Sequence, residues 1–387
     1  MREYVLVLLV AAATTFLASG LARKLAIRFG AVAQVRDRDV HTIPIPYFGG
    51  VAMLLGLAAA FVVALQLPWL SRHDTVAHDA SAVLLAGAVI CAVGVLDDLF
   101  ELHALTKVAG QILAAGIVVL NGVKIYWIPL PESIISLDDA ASIGLTVAVI
   151  FLCVNAINFV DGLDGLAAGV VAIGASAFFS YSYLLSYDQN LVRATTASLI
   201  TVTTAGICLG FLPHNVHRAR MFMGDSGAML LGLLLATSTI SLTGQIDPSR
   251  LSAEKGGLIP AYLPLFLPFA IMALPFLDLV LAYFRRTLAG KLWYVADKQH
   301  LHHRVLELGH SHRRAVILMW LWSAIISFGA IAIGLTASWL TVGAVAAALV
   351  VAALFTFVPA RRVGPRSQPT PPDPEIDRAV EQQLRNR

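Results

Sequence analysis

Long apolar runs separated by short polar stretches repeat along this 387-residue chain as far as about residue 358. They fall near 4–22, 47–67, 81–96, 104–120, 141–157, 166–187, 194–212, 226–243, 261–284, 315–335 and 338–358. A helix of roughly 20 apolar residues crosses a hydrocarbon core of about 30 Å. The pattern therefore predicts an all-α integral membrane protein of about eleven transmembrane helices. The third and fourth runs are the weakest, being short or interrupted by polar groups.

The first run has Arg2 balanced by Glu3 ahead of it and its basic cluster, Arg23, Lys24 and Arg28, behind it. No small-residue cleavage site precedes Arg23, so the run reads as a retained anchor with its N-terminus outside. Eleven spans place the termini on opposite sides. With the N-terminus outside, 21 of the 27 Lys and Arg fall on the inner side, and only Arg2, Arg72, Lys124, Arg193, Arg250 and Lys255 fall outside. This is the bias of a multi-pass plasma-membrane protein with a cytoplasmic C-terminus. After Pro359 the chain becomes Pro-rich and then charged. Residues 1–358 are thus read as one polytopic transmembrane domain and 359–387 as a disordered cytoplasmic tail.

Composition narrows the class. Hydrophobic residues make up 58% and charged residues 13%, whereas a soluble chain carries about 25% charged residues. A net charge of +3 gives no reason to expect a nucleic-acid partner. Cys91, Cys153 and Cys208 lie inside apolar runs without metal-ligand spacing and read as small hydrophobes.

Polar groups at membrane depth are costly and mark function by default. Here they gather in four clusters, all on the inner side of the predicted topology. Asp97 and Asp98 end the third run, with Lys107 shortly after. Two adjacent carboxylates repel unless a cation or water shares the site, so the pair is either a solvated helix end or part of a site. Where the fifth run meets the sixth, Asn155 and Asn158 share a helix face and are followed by Asp161-Gly162 and Asp164-Gly165. Two Asp-Gly steps break the helix and let backbone approach a ligand.

The third cluster joins His214 and Asn215 to Phe222-Met223-Gly224-Asp225-Ser226-Gly227. Asp225 stands near a helix start, where it is either an N-cap or a ligand beside free N–H groups suited to a phosphate or a metal–phosphate pair. The fourth, His300, His302, His303 and Arg304, suits a transition metal, a solvated loop, or contacts to phosphate and sugar. A weaker element, 36–41, follows the first run with Arg36, Asp37, Arg38, Asp39 and His41 on the same side. Together the clusters describe a membrane-surface site with several carboxylates and a basic rim, able to hold Mg²⁺ with substrate phosphates.

In this order, the four clusters resemble the motifs of the polyprenyl-phosphate N-acetylhexosamine-1-phosphate transferase family. The resemblance runs from the Arg36 loop to about Arg314. It implies an enzyme that moves a sugar-1-phosphate from a UDP-sugar to a polyprenyl phosphate. It also implies Asp225 as the Mg²⁺ ligand, Mn²⁺ being able to substitute, with Asp97 and Asp98 near the lipid phosphate and metal. Asn158, Asp161 and Asp164 would line the cleft, and Asn155 and Lys107 would contact substrate. Asn215 and Phe222 resemble nucleotide contacts, and His300, His302, His303 and Arg304 a diphosphate clamp. His300-Leu301-His302-His303-Arg304, in place of Pro-Leu-His-His-His, is similar to the WecA and TagO branch, whose donor is UDP-GlcNAc. Composition has an actinobacterial look, which would make the acceptor decaprenyl rather than undecaprenyl phosphate and the product the start of a cell-wall linker. The resemblance is compatible with a homodimer. A phospho-MurNAc-pentapeptide transferase or another UDP-HexNAc donor is the nearer alternative, and a secondary transporter the remote one.

Overall fold

The computed structural model describes residues 1–33, 44–130, 133–188, 191–243, 310–336 and 338–357, with single helical positions at 270, 273, 280 and 287. Apart from those single positions the predicted ninth span lies outside the described residues, as do the loop at 36–41, His300 to Arg304 and the tail. Each of the other ten apolar runs forms one helix. In chain order these are α1 (Arg2–Phe29), α2 (Gly49–Ala64), α3 (Asp74–Phe100), α4 (Ala104–Leu120), α5 (Asp139–Val160), α6 (Leu166–Asp188), α7 (Val192–Asn215), α8 (Gly224–Thr243), α9 (His312–Thr336) and α10 (Trp339–Phe357). Eight are long and apolar enough to cross a membrane; α2 and α4 are shorter apolar helices. The third run, weak in sequence, is one of the longest helices at 27 residues. The second stops at Ala64 and gives way to turns ahead of Pro68.

Two small antiparallel ribbons interrupt the all-α pattern. β1 (Val32–Ala33) pairs with β2 (Ile45–Pro46), Val32 opposite Pro46, and β3 (Trp127–Leu130) pairs with β4 (Ser133–Ser136), Trp127 opposite Ser136.

Burial sorts the helices into shells. On α1 the buried positions Tyr4, Val7, Ala11, Thr15, Ser19, Ala22 and Ala26 recur every three or four residues, forming one stripe. The opposite positions are not polar, as they would be in water. Leu9, Leu17 and Leu21 are each more than half exposed, which is the arrangement of a helix whose outer face meets lipid. α7 and α8 are buried on nearly every side, so they form the centre, whereas α10 buries only Ala352.

The central α7 carries many hydroxyls. Ser198, Thr201, Thr203 and Thr204 each donate to the carbonyl four residues earlier, at 2.7–2.8 Å. That satisfies them where no water is present.

The alternation of helices places two sets of polar contacts at opposite ends. At one end Glu3 accepts from the backbone N–H groups of Trp69 and Leu70, and Arg193 pairs with buried Asp79. At the other end meet the C-termini of α1, α3, α5 and α7 and the N-termini of α2, α4, α6, α8 and α9. There Arg23 donates to the Arg220 carbonyl, and Arg313 donates to that of His217.

Candidate active site

The site grows from the contact between the end of α3 and the start of α8. Helix starts leave N–H groups without intrahelical partners and carry a positive dipole end. Asp98 meets both needs from a different helix. Its Oδ1 accepts from the Asp225 amide at 2.9 Å, and its Oδ2 accepts from the Ser226 hydroxyl at 3.0 Å and more weakly from the Ser226 amide at 3.5 Å. The sequence left those amides for a phosphate, or Asp225 as its own cap. Asp98 caps α8 across the bundle instead, and the Asp225 side chain turns to Lys107.

This cap demands close backbone approach. Gly224 adopts φ 68°, and a Cβ there would run into the Asp98 carboxylate. A Cβ on Gly94, one turn before Asp98, would overlap the backbone of Asp225 and Ser226.

Asp97, one residue earlier, points elsewhere because successive helical residues are turned about 100° apart. Its Oδ1 accepts from the Leu102 amide at 2.8 Å, just past the helix end. Its Oδ2 lies 2.5 Å from the Lys107 ammonium, which also donates to Asp225 Oδ2 at 2.8 Å. Lys107 therefore bridges two carboxylates that would otherwise repel. Asn158, near the end of α5, lies close enough to interact with the Asp225 carboxylate.

One turn beyond Lys107 on α4 stands buried Gln111, which the sequence reading missed although it interrupts an apolar run at helical spacing from Lys107. Its side chain accepts from Asn155 at 2.8 Å and donates toward the Met229 sulfur at 3.5 Å. Asn155 thus does not reach the carboxylate cluster: it ties α5 to α4, and Gln111 continues the tie to α8.

The turn after α5 carries the other two carboxylates. Asp161 is the C-cap of α5. Burial, and then the negative charges of Asp225, Asp98 and Asp164, push its carboxyl up to about 8. Asp164 is buried and turned away, accepting from the Ala219 amide at 3.2 Å and contacting His217 Nδ1 at 3.3 Å. It orders the 214–221 segment and stands outside the cluster around Lys107.

Asn215, expected as a nucleotide contact, is 2% exposed. Its Oδ1 accepts from the Gly165 amide and its Nδ2 donates to the Met221 carbonyl, both at 3.0 Å. It staples the two loops that carry Asp161 and Asp225. Replacing it with Ala strands two buried backbone groups, and should cost about 2 kcal/mol of stability. Thermal unfolding in detergent checks this: a lower melting temperature is expected, whereas an unchanged one with weakened nucleotide binding would restore the contact role.

Phe222 is half-buried, with its ring 6.1 Å from Tyr47. The backbone around it pairs with the chain leading into α2: Phe222 N–H donates to the Pro46 carbonyl, and Gly49 N–H donates to the Phe222 carbonyl. This ties the Phe222 segment to the chain leading into α2.

Asp97, Asp98, Asp161 and Asp225, with Asn158, present oxygen donors only. That set suits a hard cation such as Mg²⁺ and not zinc or copper. The crowding that raises Asp161 is what a divalent ion would relieve. Asp98 is committed to α8, whereas Asp225 gives one oxygen, Oδ2, to Lys107.

Comparison with known proteins converges on the same stretch. A family model described as glycosyl transferase family 4 matches residues 80–243, which contain every carboxylate just described. The chain is 46% identical over 369 residues, covering 94% of it and 90% of the relative, to a decaprenyl-phosphate N-acetylglucosaminephosphotransferase of Mycolicibacterium smegmatis. Over 381 residues it is 46% identical to a protein of that name in Mycobacterium tuberculosis, covering 97% and 93% of the two chains. More distantly, it is 27% identical over 318 residues to an undecaprenyl-phosphate alpha-N-acetylglucosaminyl 1-phosphate transferase of Escherichia coli, covering 79% and 77%.

Proposed function

We propose that this chain, which belongs to glycosyl transferase family 4, transfers N-acetylglucosamine-1-phosphate from UDP-GlcNAc to a polyprenyl phosphate and releases UMP. The observation that carries this reading is Lys107 bridging Asp97 and Asp225, with Asp98 capping α8 and Asp161 close by, at one end of an apolar bundle. Such a place admits a water-soluble nucleotide and a lipid headgroup together. The mycobacterial relatives favour decaprenyl phosphate as acceptor. A secondary transporter would hold its ionisable groups near the bilayer midplane on broken helices; here they cap and bridge helix ends. Detergent-purified protein offered UDP-GlcNAc and UDP-MurNAc-pentapeptide in parallel should use the first. Preference for the second would establish the alternative.

Asp225 is the residue best placed to hold Mg²⁺, with the charge of Asp161 nearby. Bound there, Mg²⁺ would offset charge on the diphosphate oxygens as the bond to UMP breaks. The chain's own residues align the partners. Lys107 keeps Asp97 and Asp225 together and adds positive charge beside the transferring phosphorus. Asn158 fixes the Asp225 carboxylate, and the Phe222 rim receives the base.

A phosphate monoester has a second pKa of about 6, so the lipid phosphate is mostly dianionic at neutral pH and needs little help from a base. Its oxygen attacks the phosphorus next to the sugar, and the P–O bond to UMP breaks in the same displacement. The commitment of Asp98 to the α8 amides and of Asp97 to Lys107 supports direct attack over an aspartyl-phosphate intermediate. Labelled UMP should then not exchange into UDP-GlcNAc without lipid phosphate. Lipid-independent exchange, abolished by Asp97→Asn or Asp98→Asn, would establish the covalent route.

The end of the bundle that carries the site is read as cytoplasmic, from the 21-to-6 division of Lys and Arg. A reporter fused after Arg387 should be active on the cytoplasmic face. Activity only on the outer face would reverse the orientation.

A further inference from the structure

A cavity of about 540 Å³ opens beside Asp164, lined by His217, Arg218, Ser311, His312 and Arg313. It lies where the segment after α7 meets the start of α9. Asp164 borders it, contacting His217 Nδ1 at 3.3 Å. Two guanidinium groups, two imidazoles and a hydroxyl therefore converge on one concavity, with no carboxylate among the described residues of its lining.

The ligating atoms of Asp164, His217 and His312 come within 4.8 Å of one another, which raises a metal. Two features argue against it. The two imidazoles are stacked, with centroids 4.6 Å apart and planes 25° apart, so their in-plane lone pairs run side by side instead of converging on one ion. The described remainder of the lining carries Arg218 and Arg313, which would repel one. Arginine forks instead match phosphate oxygens.

Asp164 also orients the imidazole: its Oδ2 engages Nδ1 of His217, which leaves Nε2 as the ring nitrogen for a ligand. Arg313 is fastened to the His217 carbonyl at 3.3 Å, so both walls of the cavity are tied together.

We propose that this cavity is a phosphate-binding subsite that holds a phosphate group of one of the two reactants while the carboxylate cluster acts on the other end. The link to turnover rests on the transferase reading; anion binding itself does not. The reactants share this chemistry, the diphosphate of the nucleotide donor and the headgroup of the lipid acceptor, and experiment separates them.

Full-length protein in detergent is titrated with inorganic pyrophosphate by calorimetry, without divalent ions. Arg218 is exposed, so Arg218→Gln leaves packing intact and should weaken binding about ten-fold, with Arg218→Lys in between. Arg313→Gln should act in the same direction. Steady-state kinetics then assign the source. A raised KM for UDP-GlcNAc alone identifies the donor and a raised KM for decaprenyl phosphate alone the acceptor, in either case with kcat within about two-fold. Unchanged pyrophosphate affinity in Arg218→Gln overturns the proposal. So does stoichiometric Zn²⁺ in the purified protein that is lost in His217→Ala and His312→Ala. Absence of UMP release from the unaltered protein would instead count against the transferase reading and leave the pyrophosphate result readable.

Discussion

Asp225→Asn is expected to fold normally and to turn over about a thousand-fold more slowly at saturating Mg²⁺. The reason for normal folding is specific. α8 is capped by Asp98 through the Asp225 amide and the Ser226 hydroxyl and amide, and those groups are unchanged in the variant. The Asn side-chain oxygen can still accept from Lys107, so the bridge is weakened and not lost. What disappears is the negative charge that draws Mg²⁺, along with the charge balance against Lys107. Thermal unfolding and UMP release, measured on one preparation, separate the two consequences. Near-normal turnover would remove Asp225 from the metal site.

The second large effect comes from one methyl group. Gly94→Ala should abolish most activity and lower stability by about 2 kcal/mol or more. The added Cβ would overlap the backbone of Asp225 and Ser226, and backbone cannot swing aside as a side chain can. α3 and α8 must separate, which breaks the Asp98 cap and moves Asp225 away from Lys107. Gly144→Ala is the control, because nothing lies within 4 Å of a Cβ at that position in α5. Ala favours a helix over Gly by about 1 kcal/mol, so the control should be neutral or slightly more stable. Equal behaviour of the two variants would mean that the α3–α8 contact does not position the site.

The fold was largely legible in the chain because lipid-facing helices need apolar residues all round, and ten runs each became one helix. Their edges were less so. α3 begins at Asp74, well before its apolar run, since Asp79 within it is neutralised by Arg193 from α7, a partner that no local pattern reveals.

The site was legible as clusters but not as roles. Asp97 and Asp98 are neighbours in sequence, yet one faces Lys107 and the other α8; only the rotation of α3 against its neighbours decides which. Asn215 carries the same polarity whether it binds a nucleotide or staples two loops. Gln111 stood four residues beyond Lys107, a usable signal. His217 and His312 had none, since their proximity depends on how α9 packs against α6, where the Trp320 indole donates to the Gly165 carbonyl at 3.2 Å.

The transfer reaction itself is tested most directly by UMP release from the purified full-length protein, with UDP-GlcNAc, Mg²⁺, and decaprenyl phosphate either present or absent. The account predicts UMP only when all three are supplied, in equal amount to a prenyl-diphosphate-GlcNAc product identified by mass spectrometry. UMP formed without the lipid, or no UMP with every UDP-sugar and prenyl phosphate tried, would contradict it.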